Sequence, residues 1–314
     1  SLTQRSPTVI GPGSRSPSTA RVSLFLAALP LLVASCGPND PTAPGSNGRD
    51  ACPAGQWAVD TDGYRSYRHD CAPYVSEHFT VFSDGSSMEA KAELAGIAED
   101  VFSELVGEFE IESEAELGFT AGYTYYIFAQ RYISPATAEG YRNGFLIIAV
   151  DTPERPAERN PAFYRYLIKH EMTHVFQFSL TDCPRNSACP YWLDVWFREG
   201  QAIVTGDYLP LPTLAQYQTW ISDPEHINPI LISRWTDFPD PDRGGEYYPM
   251  FALTYAYLTD STRGHGASVG DYRDLFQLMK DGEPFTSAFE MALGISLSYL
   301  EEHYYDIMEA YLGG

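Results

Sequence analysis

The stretch IKHEMTHVFQFS, Ile168 to Ser179, places two histidines four residues apart, with a glutamate beside the first, in a run that is otherwise largely apolar. Residues four apart on a helix are separated by about 40° around its axis, so His170 and His174 point the same way, one turn apart. The apolar stripe of this helix runs Phe163, Leu167, His170, His174, Phe178, which puts both imidazoles on its inward side. A buried imidazole must find partners for its ring nitrogens. Few polar residues share this face. Either tertiary structure brings partners to the pair, or the two rings share one metal ion, and a third ligand decides between these.

A candidate third ligand follows after 24 intervening residues. Glu199 lies in YWLDVWFREGQAIVTGD, which reads as a second helix with the stripe Leu193, Trp196, Phe197, Gly200, Ile203, Val204 and with Glu199 on its flank. An unpaired carboxylate is costly to bury there. A divalent cation shared with the two histidines would offset that cost, and a nearby arginine is the plainer alternative. Glu171, turned by about 100° from His170, sits at the edge of the pair, where it could hold a water.

With these residues the chain resembles the gluzincins, the zinc metallopeptidases typified by thermolysin and the aminopeptidase N group. It looks closest to the peptidase MA-like branch, where a Trp-x-x-Glu-Gly-x-Ala pattern, here Trp196 to Ala202, supplies the third ligand. The metzincin pattern does not fit, because Gln177 stands where Gly is required and Leu180 where a third His is required. The likeness spans residues 75 to 260 and is specific at the two helices. It implies one Zn2+ per chain held by His170, His174 and Glu199, with Glu171 as general base toward a zinc-activated water that hydrolyses a peptide bond.

The same resemblance implies a tyrosine that stabilises the oxyanion, at the start of a helix downstream of the third ligand. EYYPMFALTYAYL offers Tyr248, with Tyr247 as the fallback and His265 as a third possibility, although Phe251 stands where relatives usually have Gly. Ile203 occupies the position where thermolysin carries an Asp that steadies a ligand histidine, which leaves Asp194 or Asp207 for that task. In gluzincins an edge strand pairs with the extended substrate, and NGFLIIAV, Asn143 to Val150, is the candidate, its alternative being an interior strand. No GAMEN-like run anchors a free amino terminus, which favours an endopeptidase over an aminopeptidase.

The amino-terminal region reads as an export signal. Arg15 and Arg21 precede VSLFLAALPLLVA, too short to span a bilayer, and the run ends in VASC, similar to the bacterial lipobox. Residues 1–36 are thus expected to be a lipoprotein signal peptide, with Cys36 lipidated and the protein anchored to the cell envelope, at the outer membrane or cell surface. Residues 37–50, GPNDPTAPGSNGRD, read as a flexible tether. Four cysteines remain for an oxidising compartment. Of the three connectivities, Cys52 with Cys71 and Cys183 with Cys189 is favoured because each closes a short loop. The chain holds 42 acidic and 20 basic residues, and losing residues 1–36 removes three arginines and no acid, taking net charge from −22 to −25. Such a surface excludes nucleic acid as a partner and leaves a peptide or protein substrate.

The folded part shows two characters. Residues 51–160 contain strand-like runs, HFTVFSD, YTYYIFA and GFLIIAVD, around one amphipathic helix with Ala90, Leu94, Ile97, Val101, Leu105 and Phe109 at helical spacing. Residues 161–314 carry helical spacing over 162–180, 193–205, 249–259, 272–280 and 297–312. The expected fold is α+β, a sheet-bearing lobe followed by a helical zinc-binding lobe, with the His-Glu helix between them, as in thermolysin-like proteins. Two rivals share this sequence pattern: a non-catalytic surface-binding lipoprotein, and a zinc amidase acting on a cell-envelope bond.

Overall fold

The computed structural model of the protein describes residues 58–61, 66–69, 73–83, 87–117, 125–131, 138–141, 144–149, 161–182, 193–207, 209–238 and 244–314. The signal segment, Cys36, the tether and Cys52, Cys71, Cys183 and Cys189 lie outside them. Strands β1 (Ala58–Thr61) and β2 (Ser66–His69) pair antiparallel. A second sheet has the order β3-β4-β5-β7-β6, from β3 (Tyr74–Val75), β4 (Phe79–Ser83), β5 (Tyr125–Arg131), β6 (Ala138–Tyr141) and β7 (Gly144–Ala149). Its three central strands run parallel, and β3 and β6 run antiparallel to their neighbours.

Parallel neighbours need a crossover, and helix α1 (Met88–Glu108) follows β4 before the chain reaches β5. Ser87 starts it by accepting from the Ala90 amide. Its buried face, Leu94, Ala98, Val101, Phe102 and Leu105, packs on β4. Phe79 to Phe82 are all buried, so β4 is covered on both sides, as a central strand requires.

The strand Gly144–Ala149 is interior, which corrects its expected place at the sheet edge. It pairs with β5 on one side, Ile127 opposite Phe145, and with β6 on the other, Ala138 opposite Ile147. The edge belongs to β6, whose sequence AEGY has weak strand propensity and carries no visible signal. Pairing with β7 across only two intervening residues makes it a strand.

Eight helices are described: α1, then α2 (Pro161–Leu180), α3 (Val195–Gly206), α4 (Leu214–Ile221), α5 (Gly244–Thr259), α6 (Val269–Lys280), α7 (Phe285–Leu293) and α8 (Leu297–Gly313). None of them is long and apolar enough to cross a membrane. Helix α2 lies against α1, α3, β6 and β7. Its Phe176 packs on Phe102 and Phe109, with ring centroids 5.7 and 5.3 Å away. Arg165 pairs with Glu104, and Lys169 Nζ reaches Glu108 at 2.6 Å and Glu104 at 3.5 Å. These two i,i+4 pairs face each other across the α1–α2 contact. Consecutive helical residues diverge by about 100°, so turning Lys169 toward α1 turns His170 away from it. Helix α3 buries Trp196 and Phe197 against Phe285 and Phe289 of α7, with centroids 5.4 to 6.2 Å apart.

The turn into β4 is fastened to α1 by an ionic contact. His78 Nδ1 lies 2.6 Å from Glu99, whose carboxylate also accepts from the His78 amide and the Ser76 hydroxyl, and the imidazole stacks on Phe102. Burial opposes protonation of His78, but Glu99 and Glu114 outweigh it and raise its pKa above the ordinary 6.5. Burial likewise pushes Glu99 up, but the hydrogen bonds from His78 and Ser76 hold it below the ordinary 4.5. The raised histidine contributes stability that is complete below pH 6.5 and is lost as pH climbs through its folded pKa. The lowered carboxyl contributes stability that is complete above pH 4.5 and is lost as pH falls through its folded pKa. Denaturant unfolding of the protein and of His78→Phe across pH should therefore show their largest difference between 4.5 and 6.5, shrinking on the alkaline side. A difference that does not change with pH would remove the ionic contribution.

Candidate metal centre

Helices α2 and α3 cross so that three donor side chains meet. His170 Nε2 and His174 Nε2 are 3.3 Å apart, and Glu199 Oε2 and Oε1 lie 3.5 Å from each in turn. The two imidazole planes stand nearly perpendicular, at 89°. A tetrahedral zinc with ligands at about 2.0–2.2 Å has donor-to-donor edges of about 3.3–3.5 Å. The nitrogen-to-nitrogen separation and the contact that each nitrogen makes with the carboxylate fall in that range, the two contacts running to different Glu199 oxygens. Both histidines present the same ring nitrogen, and the group is wholly buried, at 2% exposure for His170 and 0% for His174 and Glu199. The donor set, two imidazoles and a carboxylate, suits zinc.

Glu171 is also fully buried, with Oε1 3.9 Å from His170 Nε2. It stands beside the triangle without being one of its corners. Arg198 touches Glu199 as well, Nε to Oε1 at 3.4 Å, with its guanidinium 6.0 Å from the Phe178 ring centre. The expected alternatives for Glu199, cation site or arginine partner, are thus both present in geometry. Burial pushes the Glu199 carboxyl up, but the His174 charge, the hydrogen bonds to His170 and His174 and the Arg198 guanidinium hold it well below the usual range.

The group that orients a ligand histidine is neither of the expected aspartates. Asp207 ends α3 in the left-handed conformation and is exposed. Asp194 precedes α3 and accepts from Trp196 Nε1 at 3.3 Å. Burial pushes its carboxyl up to about 7, with Asp237 adding to that push and Trp196, Arg198 and Arg234 opposing it. What meets His174 is Gln177, Oε1 to Nδ1 at 2.9 Å. Its position three residues after His174 in a helix with a buried face is a signal legible in the sequence, since an amide on the ligand's own face needs a partner.

The proposed oxyanion donors are dispersed. Tyr247 is fully buried, stacked on His226 at 5.4 Å, and its hydroxyl accepts from the Ile227 amide. His265 donates Nε2–H to the Leu293 carbonyl at 2.6 Å, fastening the loop after α5 to the end of α7. Tyr248 packs against Phe238 and Phe251 on α5.

Helix α5 lies against α3, and the contact passes through Gly200. A Cβ there would sit 2.4 Å from the Phe251 carbonyl oxygen and 3.1 Å from Tyr255 Cβ. The residue after Glu199 must therefore have no side chain. No family model matches the chain, and no curated protein matches it significantly. Gly200→Ala should destabilise the protein by about 1–3 kcal/mol through overpacking, read as a lower urea midpoint. An unchanged midpoint would mean that α5 can yield without cost.

Proposed function

We propose that the protein is a zinc metallopeptidase of gluzincin type, exported and lipid-anchored through Cys36. The observation that carries this reading is the triangle of His170, His174 and Glu199 with Glu171 beside it. Among the described residues three donors meet, and a three-donor site with an open position is the pattern of a catalytic rather than a structural zinc. The succession of a strand-bearing region and a helical region, with α2 between them, supports the two-lobe α+β architecture of that group.

Zinc in this site would supply Lewis acidity, polarising a scissile carbonyl and lowering the pKa of a water toward neutrality. Glu171 is the proposed general base and acid, placed to take a proton from an attacking water and hand it to the leaving amine, and it is held by the same helix turn as His170 and His174. Arg198 keeps Glu199 ionised and so competent as a donor. Tyr248 is the proposed oxyanion donor on the resemblance to gluzincins, with Tyr247 as the fallback. The strand offered to an extended peptide is β6, the edge that lies against α2.

Burial of Glu171 favours a second reading, a lipoprotein that holds zinc for structure and cleaves nothing. The two separate in one experiment. A mixed library of unstructured peptides is incubated with the protein and with Glu171→Gln, cleavage is read by mass spectrometry, and zinc content is measured on both. We expect near-equimolar zinc in each, with cuts by the parent and a loss of about 10²-fold or more in the variant. Zinc in both with cuts by neither would favour the structural reading or the cell-envelope amidase, and no zinc in either would refute the ligand assignment.

A further inference from the structure

We infer that Gln177 is a positioning residue that sets the tautomer and rotation of His174 toward the metal. The inference rests on the metal reading above and goes beyond it, because it assigns a task to a side chain outside the ligand set.

The argument starts from a group whose role is fixed. The Arg198 backbone carbonyl can only accept a hydrogen bond, and the nearest Gln177 side-chain atom is 3.1 Å from it. That atom must be the amide nitrogen. The other end of the same amide is then the carbonyl oxygen, which can only accept, and it faces His174 Nδ1 at 2.9 Å. His174 Nδ1 therefore carries the proton. In the neutral ring the other nitrogen, Nε2, then carries the lone pair, and Nε2 points at His170 and Glu199. A neutral imidazole with one bare nitrogen is the form that binds a metal.

A second amide holds the first. Gln177 Nε2 also donates to Gln201 Oε1 at 2.8 Å, and Gln201 Nε2 donates to the Tyr255 hydroxyl at 3.0 Å. Flipping Gln177 would place oxygen against the Arg198 carbonyl and against Gln201 Oε1, replacing two attractive contacts with repulsive ones. Every member is buried, so none of these bonds is exchanged with water at low cost. The chain ties α2, through Gln177, to α3 at Arg198 and Gln201 and to α5 at Tyr255. Arg198 immediately precedes Glu199. One amide thus references ligand His174 to the backbone that carries ligand Glu199. The other histidine differs, since His170 Nδ1 has no hydrogen-bond partner among the described residues. An amide also orients without adding a third negative charge to a pocket that already holds Glu171 and Glu199.

The test compares the full chain with Gln177→Met, which keeps length and volume but removes the acceptor, and with Gln177→Glu, which restores it. Zinc affinity is measured by competition with a chromophoric chelator, and the cobalt(II)-loaded proteins are compared by visible absorption. We expect Gln177→Met to lose about 10–100-fold in affinity with an altered cobalt spectrum, and Gln177→Glu to recover a spectrum like the parent's. In parallel, nitrogen NMR of metal-free, histidine-labelled parent, with His174→Gln to assign the signal, should show His174 protonated at Nδ1. This arm needs no Gln177 variant to fold. Zinc bound by the parent and by Gln177→Met equally tightly would overturn the inference alone, as would an Nε2-protonated His174. A parent that binds no zinc would overturn the metal reading and the inference with it.

Discussion

The cost of burying Glu199 governs the centre of this structure. A carboxylate removed from water loses several kcal/mol of hydration, and the low-dielectric interior returns that only through close, well-aligned partners. Glu199 has three on the described residues, His170, His174 and Arg198, at 3.4 to 3.5 Å. These distances are long for direct charge-assisted hydrogen bonds, which favour about 2.7–2.9 Å. They fit instead the separations of groups gathered around a common centre.

Holding that arrangement falls to the surrounding helices. α2 is fixed in rotation by its ion pairs to α1 and by Phe176 between Phe102 and Phe109. α3 is fixed by Trp196 and Phe197 against α7 and by the backbone approach of α5 at Gly200. Exposed ion pairs such as Arg165 with Glu104 add little stability by themselves. Their value is angular, because a rotation of α2 that broke them would swing both histidines off the centre together. Glutamine pairs finish the work at the level of single rings, where helix packing is too coarse to choose a tautomer.

The helices that carry chemistry were legible in the sequence because their periodicity is strong. The run at 162–180 matches α2 closely, and 193–205 matches α3 within two residues. Short elements were not: α4 and α7 are eight and nine residues long, flanked by proline and polar residues, and give too few repeats of an apolar pattern. β6 was hidden for a different reason, since AEGY becomes a strand through its neighbour and not through its own propensity. Helix α5 begins five residues before the expected Pro249, so that proline lies inside its second turn, where it removes one internal hydrogen bond, and the sequence reading placed the helix start at the proline instead. At the site, the residue types of the triangle were readable from spacing alone. Its orienting group was not, because a search framed around aspartates passes over an amide.

The distinction between a structural and a catalytic centre comes down to Glu171. A structural zinc site is usually closed by four protein ligands, and the described residues offer three. The second acid of the constellation, Glu171, stands 3.9 Å from His170 Nε2, beside the three donors and not among them. Keeping a second carboxylate at 0% exposure beside Glu199 costs stability, and a site meant only to brace two helices would be better served by an apolar residue there. Burial cuts against easy access for a polypeptide, yet it also strengthens every electrostatic contact that Glu171 would make with a reacting group.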